Sequence, residues 1–174
     1  MQTIRNNVFE TNSSSTHSIC ICKEDRSLKI PNKIEIDIKK YEFGWEYAKR
    51  DQTKEKLAYL IIGIVNKSYT EGFKVGCTLL KTLMDYLGEW IDSVHIKGIE
   101  IITYNKQTYL DSYDGYVDHA SELSELIDVL LNDKEMLKRY LFSTDSFILT
   151  GNDNAEGYQD IEVNYEHDEF YKGN

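Results

Sequence analysis

The sequence predicts an α+β fold: one domain with a mainly antiparallel or mixed sheet and about four helices. Ile34, Ile36 and Ile38 alternate with Glu35, Asp37 and Lys39, the period of two of a half-buried strand. Leu57, Leu60, Ile61, Ile64 and Val65 recur at helical spacing, and so do Leu79, Leu80, Leu83, Met84 and Leu87. The segments run as strands, two helices, strands, two helices, strands. Short turns join strands that neighbour in sequence, which favours antiparallel pairing.

Taken in order, Ile4 to Phe9 and Ser18 to Cys22 read as short strands, the second with Ile19 and Ile21 on one face. The alternating isoleucines form the next strand, followed by the aromatic segment Tyr41-Glu42-Phe43-Gly44-Trp45. A loop is expected between the two helical runs, from Asn66 to Gly72. Ile99 to Tyr104 and Gln107 to Leu110 read as a hairpin that turns at Asn105-Lys106. Ser121 is expected to cap a third helix carrying Leu123, Leu126, Ile127, Leu130 and Leu131. Asn132 and Glu135 form a capping-box pattern for a fourth helix ending near Phe142. Phe147 to Thr150 and Gln159 to Tyr165 are expected as paired strands around a turn at Gly151-Asn152-Asp153-Asn154.

The 174 residues suit a single domain, 1–174, that buries its own core; its one proline argues against long rigid linkers. Residues 166–174 read as a candidate disordered acidic tail. Nothing near Met1 reads as a secretory h-region. The longest apolar run, Leu57 to Val65, is interrupted by Gly63 and falls well short of the roughly 20 residues of a membrane span. The cysteines Cys20, Cys22 and Cys77 are odd in number and match no disulfide framework. The expectation is a cytoplasmic protein without membrane contact.

Charge narrows the partners. The net charge is −10, and residues 150–174 hold seven acids (Asp153, Glu156, Asp160, Glu162, Glu166, Asp168, Glu169) against one base, Lys172. So acidic a chain repels a phosphate backbone, so direct DNA binding is disfavoured and basic surfaces or cations are the natural partners. The alternative is a solvated acidic segment that serves solubility.

Chemistry-bearing residues gather first in the N-terminal run. From Thr11 to Ser18 every side chain is polar and six of eight carry a hydroxyl. Arg5, Glu10, Asn12, Ser13, Ser14, Ser15 and His17 are its candidate binding residues, through side-chain donors and backbone amides that could cradle an anion. The competing reading is a connection whose hydroxyls bond their own backbone. A nucleophilic serine with His17 as base lacks the glycine-rich turn such serines use, and a P-loop lacks its glycines and lysine. His17, Cys20 and Cys22 make a poor metal set, because on a strand His17 has the opposite parity to the two cysteines. No catalytic residue, metal ligand or cofactor is assigned.

A second candidate surface combines acids with aromatics. The chain has thirteen tyrosines, and Tyr104, Tyr109, Tyr113 and Tyr116 cluster around Asp111, Asp114 and Asp118. Acid interleaved with aromatic imitates the phosphates and bases of nucleic acid; cross-strand packing is the plainer reading. Tyr113, Tyr116, Asp153, Asp160, Glu162, Glu166 and Asp168 are the candidate residues of this surface. Asn152 to Gly157 echoes an EF-hand start, but its twelfth position is Val163, which excludes that loop.

The block Arg5…Val8-Phe9-Glu10-Thr11-Asn12-Ser13-Ser14-Ser15-Thr16-His17-Ser18 resembles the N-terminal signature of a group of small bacteriophage and prophage proteins of Firmicutes. Phe43-Gly44-Trp45, Lys56-Leu57-Ala58-Tyr59 and Thr150-Gly151-Asn152-Asp153-Asn154 are similar to that group too. The resemblance implies phage origin and a bacterial host cytoplasm, and it carries no agreed activity. Phage origin implies an accessory protein that binds and inhibits a nucleic-acid-handling host defence enzyme, an anti-CRISPR-like inhibitor of a type II effector nuclease whose channels are basic. Its partner would be the basic surface of that nuclease or its ribonucleoprotein. Two alternatives stand beside it: a hydrolase or nucleotide transferase using the Ser/Thr/His-rich loop, and a homo-oligomeric structural or regulatory phage component, for example a homodimer.

Overall fold

The computed structural model describes residues 15–23, 27–44, 46–112, 114–152 and 169–171, and it is α+β. The candidate N-terminal strand at Ile4 to Phe9 and the one at Gln159 to Tyr165 lie outside those residues.

At the centre runs α1 (Thr53–Thr70), with every residue from Lys56 to Val65 buried. A helix that is apolar all round belongs inside a core. Its first turn is closed by a capping box between Gln52 and Glu55. Against it pack α2 (Phe73–Trp90), α3 (Ser124–Asn132) and α4 (Lys134–Phe142). Gly76 lets α2 approach α1 closely, since a Cβ there would lie 2.5 Å from the Ser68 Cβ.

The expected loop at Asn66 to Gly72 is shorter in fact: α1 continues to Thr70. Tertiary bonds hold its last turn. The buried Lys67 ammonium donates to the Ser124 carbonyl at 3.1 Å and to Asp128 at 2.7 Å. The Ser68 hydroxyl donates to the Val65 carbonyl and accepts the Leu110 amide at 3.1 Å.

Two cap assignments also shift. Ser121 lies inside a 3-10 turn, Ala120–Leu123, that leads into α3 at Ser124. The cap of α4 is Asp133, not Asn132; its carboxylate accepts the Met136 amide at 2.9 Å. Asn132 is the last residue of α3, so the extended residue between the two helices, Asp133, takes the cap.

The largest sheet has four strands in the order β10 (Glu169–Tyr171), β1 (Ser15–Ile21), β9 (Phe147–Asn152) and β4 (Ala48–Arg50), every pair antiparallel. Ile19, Ile21 and Ile148 face the main core, while Cys20, Phe147 and Leu149 are buried on the opposite face. Gly151 and Asn152, expected in a turn, extend β9 opposite Thr16 and Ser15. Within 166–174, Glu169–Tyr171 form a strand on β1.

Smaller pairs complete the mixed pattern. Ile34 and Ile36 form β2 (Lys33–Asp37), both buried, while Ile38, expected on the same strand, begins a 3-10 turn; β2 pairs in parallel with β5 (Ser93–Lys97). A 3-10 turn at Ile38–Lys40 leads to β3 (Glu42–Phe43), which runs parallel to β8 (Tyr116–Val117). The hairpin is β6 (Glu100–Tyr104) with β7 (Gln107–Asp111), joined through Asn105 and Lys106 at φ 50° and 66°. No helix among the described residues is long and apolar enough to cross a membrane.

Candidate functional site

The expected polar connection around Thr11 to Ser18 is, from Ser15 onward, a strand. Ser15, Thr16 and His17 pair with Asn152, Gly151 and Thr150. The ladder of β9 supplies their backbone bonds, so the hydroxyl run need not satisfy itself locally.

His17 is completely buried on the α1 side of this sheet. Its Nε2 lies 3.1 Å from the Gly44 carbonyl and its Nδ1 3.1 Å from the Tyr59 hydroxyl. A carbonyl only accepts, so Nε2 carries the proton. In the neutral ring Nδ1 then accepts from the tyrosine O–H. Burial lowers the pKa of His17 below its ordinary 6.5, against a smaller upward effect of the Gly44 bond. Both nitrogens are thus committed to internal partners, which removes the position of His17 as a general base for a nearby serine.

Gly44 joins the two candidate surfaces. Its carbonyl holds His17, and the Tyr116 hydroxyl lies where a side chain would begin, 2.8 Å from the ideal Cβ position. Around it opens a cleft of about 90 Å³ lined by Glu42, Gly44, Glu46, Arg50, Tyr116 and Thr150. Tyr116 is 47% exposed, and β3 carries Glu42 directly opposite it. The Thr150 hydroxyl donates to the Glu46 carbonyl at 2.8 Å, tying the end of β9 to this rim. The cleft continues past Arg50 toward Lys40, Tyr41 and Glu55. Arg50 donates to Glu55 at 3.1 Å and sits 6.0 Å from the Phe43 ring centroid.

The remaining predicted site residues fall as follows. Arg5, Glu10, Asn12, Ser13 and Ser14 lie outside the described residues, as do Tyr113, Asp153, Asp160, Glu162, Glu166 and Asp168. The segment 153–168 that carries those five acids begins and ends on one sheet. Asn152 is paired with Ser15 at one end of β1, and Glu169 with Ile21 at the other. At about 3.4 Å per residue, the two attachment points are separated by roughly 20 Å along β1.

Sequence reasoning missed a buried ammonium. Lys56 is fully buried and donates to the carbonyls of Ser143 and Ser146 at 2.6 and 2.8 Å. It fastens α1 to the carbonyls that follow α4, while the Tyr140 hydroxyl donates to the Lys56 carbonyl at 3.0 Å. Desolvation lowers its pKa from 10.5 to about 8, against the raising influence of acids that include Asp51 and Glu55. Lys56 and Tyr59 both stand in the quoted block Lys56-Leu57-Ala58-Tyr59, the one signal that could have flagged them. Cys20 and Cys22 are buried thiols that form no disulfide, as small side chains in a core should be. Among the described residues no group of three or more His, Cys, Asp or Glu side chains is placed to hold a metal ion.

No family model matches this chain, and neither a curated protein nor a solved structure is similar to it.

Proposed function

We propose that the protein is a binding inhibitor that sets an acidic surface against the basic nucleic-acid groove of a host defence enzyme, in the manner of an anti-CRISPR inhibitor of a type II effector nuclease. The observation that carries this reading is the anchorage of the acid-rich segment 153–168. Its two ends are held by β9 and β10 on the same buried strand, β1. Fixing the ends of a charged segment removes part of the ordering cost that binding would otherwise incur. Beside its point of departure, Tyr116, Glu42 and Glu46 extend the acid and aromatic surface.

Charge supports the same reading. At −10 the chain is repelled by DNA and steered toward a groove evolved for a polyanion. The phage origin rests on the N-terminal block and its resemblance. An enzyme built on the hydroxyl-rich run finds less support, because the run's own imidazole, His17, is held on both nitrogens.

The test is a cleavage assay with a type II effector ribonucleoprotein and its DNA target. The expected result is inhibition by the intact protein that weakens as salt rises and is lost when Asp160, Glu162, Glu166 and Asp168 become Asn or Gln. Full cleavage in the presence of excess folded protein, across effectors from Firmicutes hosts, overturns the proposal.

A further inference from the structure

We propose that the outer edge of β6 is a self-association edge, on which a second copy of this chain adds its own β6 antiparallel across a two-fold axis.

The hairpin's own geometry says which backbone groups lie on that edge. Two residues with positive φ, Asn105 and Lys106, separate the paired residues Tyr104 and Gln107. In such a type I′ hairpin the pair next to the turn exchanges hydrogen bonds, and the bonded pairs then alternate. Tyr104, Ile102 and Glu100 therefore bond to β7, whereas Ile101 and Thr103 turn their N–H and C=O groups outward. An independent contact agrees: Leu110, directly opposite Ile101, sends its amide away from β6 to the Ser68 hydroxyl at 3.1 Å.

Among the described residues β6 pairs with β7 alone. Its Ile101 and Tyr104 are 67% and 69% exposed, the most exposed of the large apolar side chains described. Free edges in natural sheets are blunted by charged side chains, proline, a bulge or a cover. The stretch Glu100-Ile101-Ile102-Thr103-Tyr104 has no proline, its one charge, Glu100, is neutralised by Lys39 at 2.9 Å, and its register with β7 runs without a bulge.

Register and charge select a second copy as the occupant. Setting Ile101 against the second copy's Thr103, and Thr103 against the second copy's Ile101, aligns the outward groups of both strands as hydrogen-bonded pairs. Each such pair exchanges both of its bonds. Ile102 then faces the second copy's Ile102, and Glu100, whose carboxylate already accepts from Lys39 at 2.9 Å, faces the second copy's Tyr104. Charge permits the approach here: between 97 and 111 the acids Glu100 and Asp111 balance Lys97 and Lys106 in a chain that otherwise carries −10. The product is one continuous sheet, β7-β6-β6-β7.

Sedimentation velocity and light scattering of the full chain over a concentration series test the proposal. The mass should climb from 20.3 kDa toward twice that value. Thr103→Pro removes an outward N–H that the hairpin does not use, and Ile101→Lys sets a charge on the free edge. Each should weaken association about tenfold or more. If Thr103→Pro fails to fold, Ile101→Lys decides, together with hydrogen exchange, in which the Ile101 and Thr103 amides gain protection as wild-type concentration rises. Neutralising Asp160, Glu162, Glu166 and Asp168 should leave the dimer in place, which separates this edge from the acidic surface. A mass of 20.3 kDa at every concentration, or a dimer unchanged in Ile101→Lys, overturns it.

Discussion

The Nε2 of His17 donates to the Gly44 carbonyl across 3.1 Å, and this bond links the hydroxyl-rich N-terminal run to the cleft beneath Tyr116. It also fixes the ring's tautomer, since the opposite nitrogen faces the Tyr59 hydroxyl. A side chain that looks like a candidate base in sequence is thus a cross-brace between β1, the segment after β3, and α1.

That brace makes stability depend on pH. The folded His17 binds its proton less readily than the unfolded one, whose ordinary value is 6.5. As pH falls below 6.5 the unfolded chain takes up the proton first, so stability declines with falling pH. Urea unfolding from pH 8 to 5 should show this slope, and His17→Phe should flatten it while costing about 1–3 kcal/mol at pH 7 for the groups left unbonded. An unchanged slope in the variant would assign the titration elsewhere.

Lys56 works in the alkaline range. Its folded pKa of about 8 lies below the ordinary 10.5, so between those values the unfolded chain holds the extra proton and stability rises with pH. Lys56→Met should abolish that rise. At pH 7 it should also destabilise by about 2 kcal/mol, because the carbonyls of Ser143 and Ser146 lose a charged donor while the cost of burying that charge disappears. Chemical denaturation of both proteins at pH 7, 9 and 10 checks the two effects together.

Two glycines of α2 should respond in opposite directions to alanine. At Gly76 a Cβ would meet the Ser68 Cβ at 2.5 Å and the Leu110 side chain at 3.2 Å, so Gly76→Ala must push α1 and β7 away at a cost of about 1–3 kcal/mol. At Gly88, exposed on the same helix, nothing lies within 4 Å. Gly88→Ala should stabilise by roughly 0.5–1 kcal/mol through helix propensity alone. Thermal melts of the two variants give the signs directly.

How far the sequence could be read depended on how local each cause is. The alternating isoleucines of β2, the apolar runs of α1 and α2, and the turn at Asn105-Lys106 are written in neighbouring residues, and they stand where the pattern puts them. The end of α1 is not local: Lys67 and Ser68 stay helical because Ser124, Asp128 and Leu110 bond to them from distant elements. Burial of α1 on every side was masked in the same way, because Lys56 and Lys67 flank its apolar run and find their partners only in the folded chain. The site lies further from view. His17 meets partners 27 and 42 residues away, and its strand is completed by residues at 147–152 and 169–171. A polar run reads as a loop until the ladder that pairs it is known.

The central claim is that carboxylates between β9 and β10 bind a basic groove. Its most direct test is the affinity of the wild-type protein and of the Asp160→Asn, Glu162→Gln, Glu166→Gln, Asp168→Asn variant for a type II effector ribonucleoprotein, each at low and physiological salt. The account predicts binding by the wild type that falls steeply with salt, and a loss of at least about tenfold in the variant with a shallower salt dependence. Equal affinity and equal salt dependence for the two proteins would contradict it.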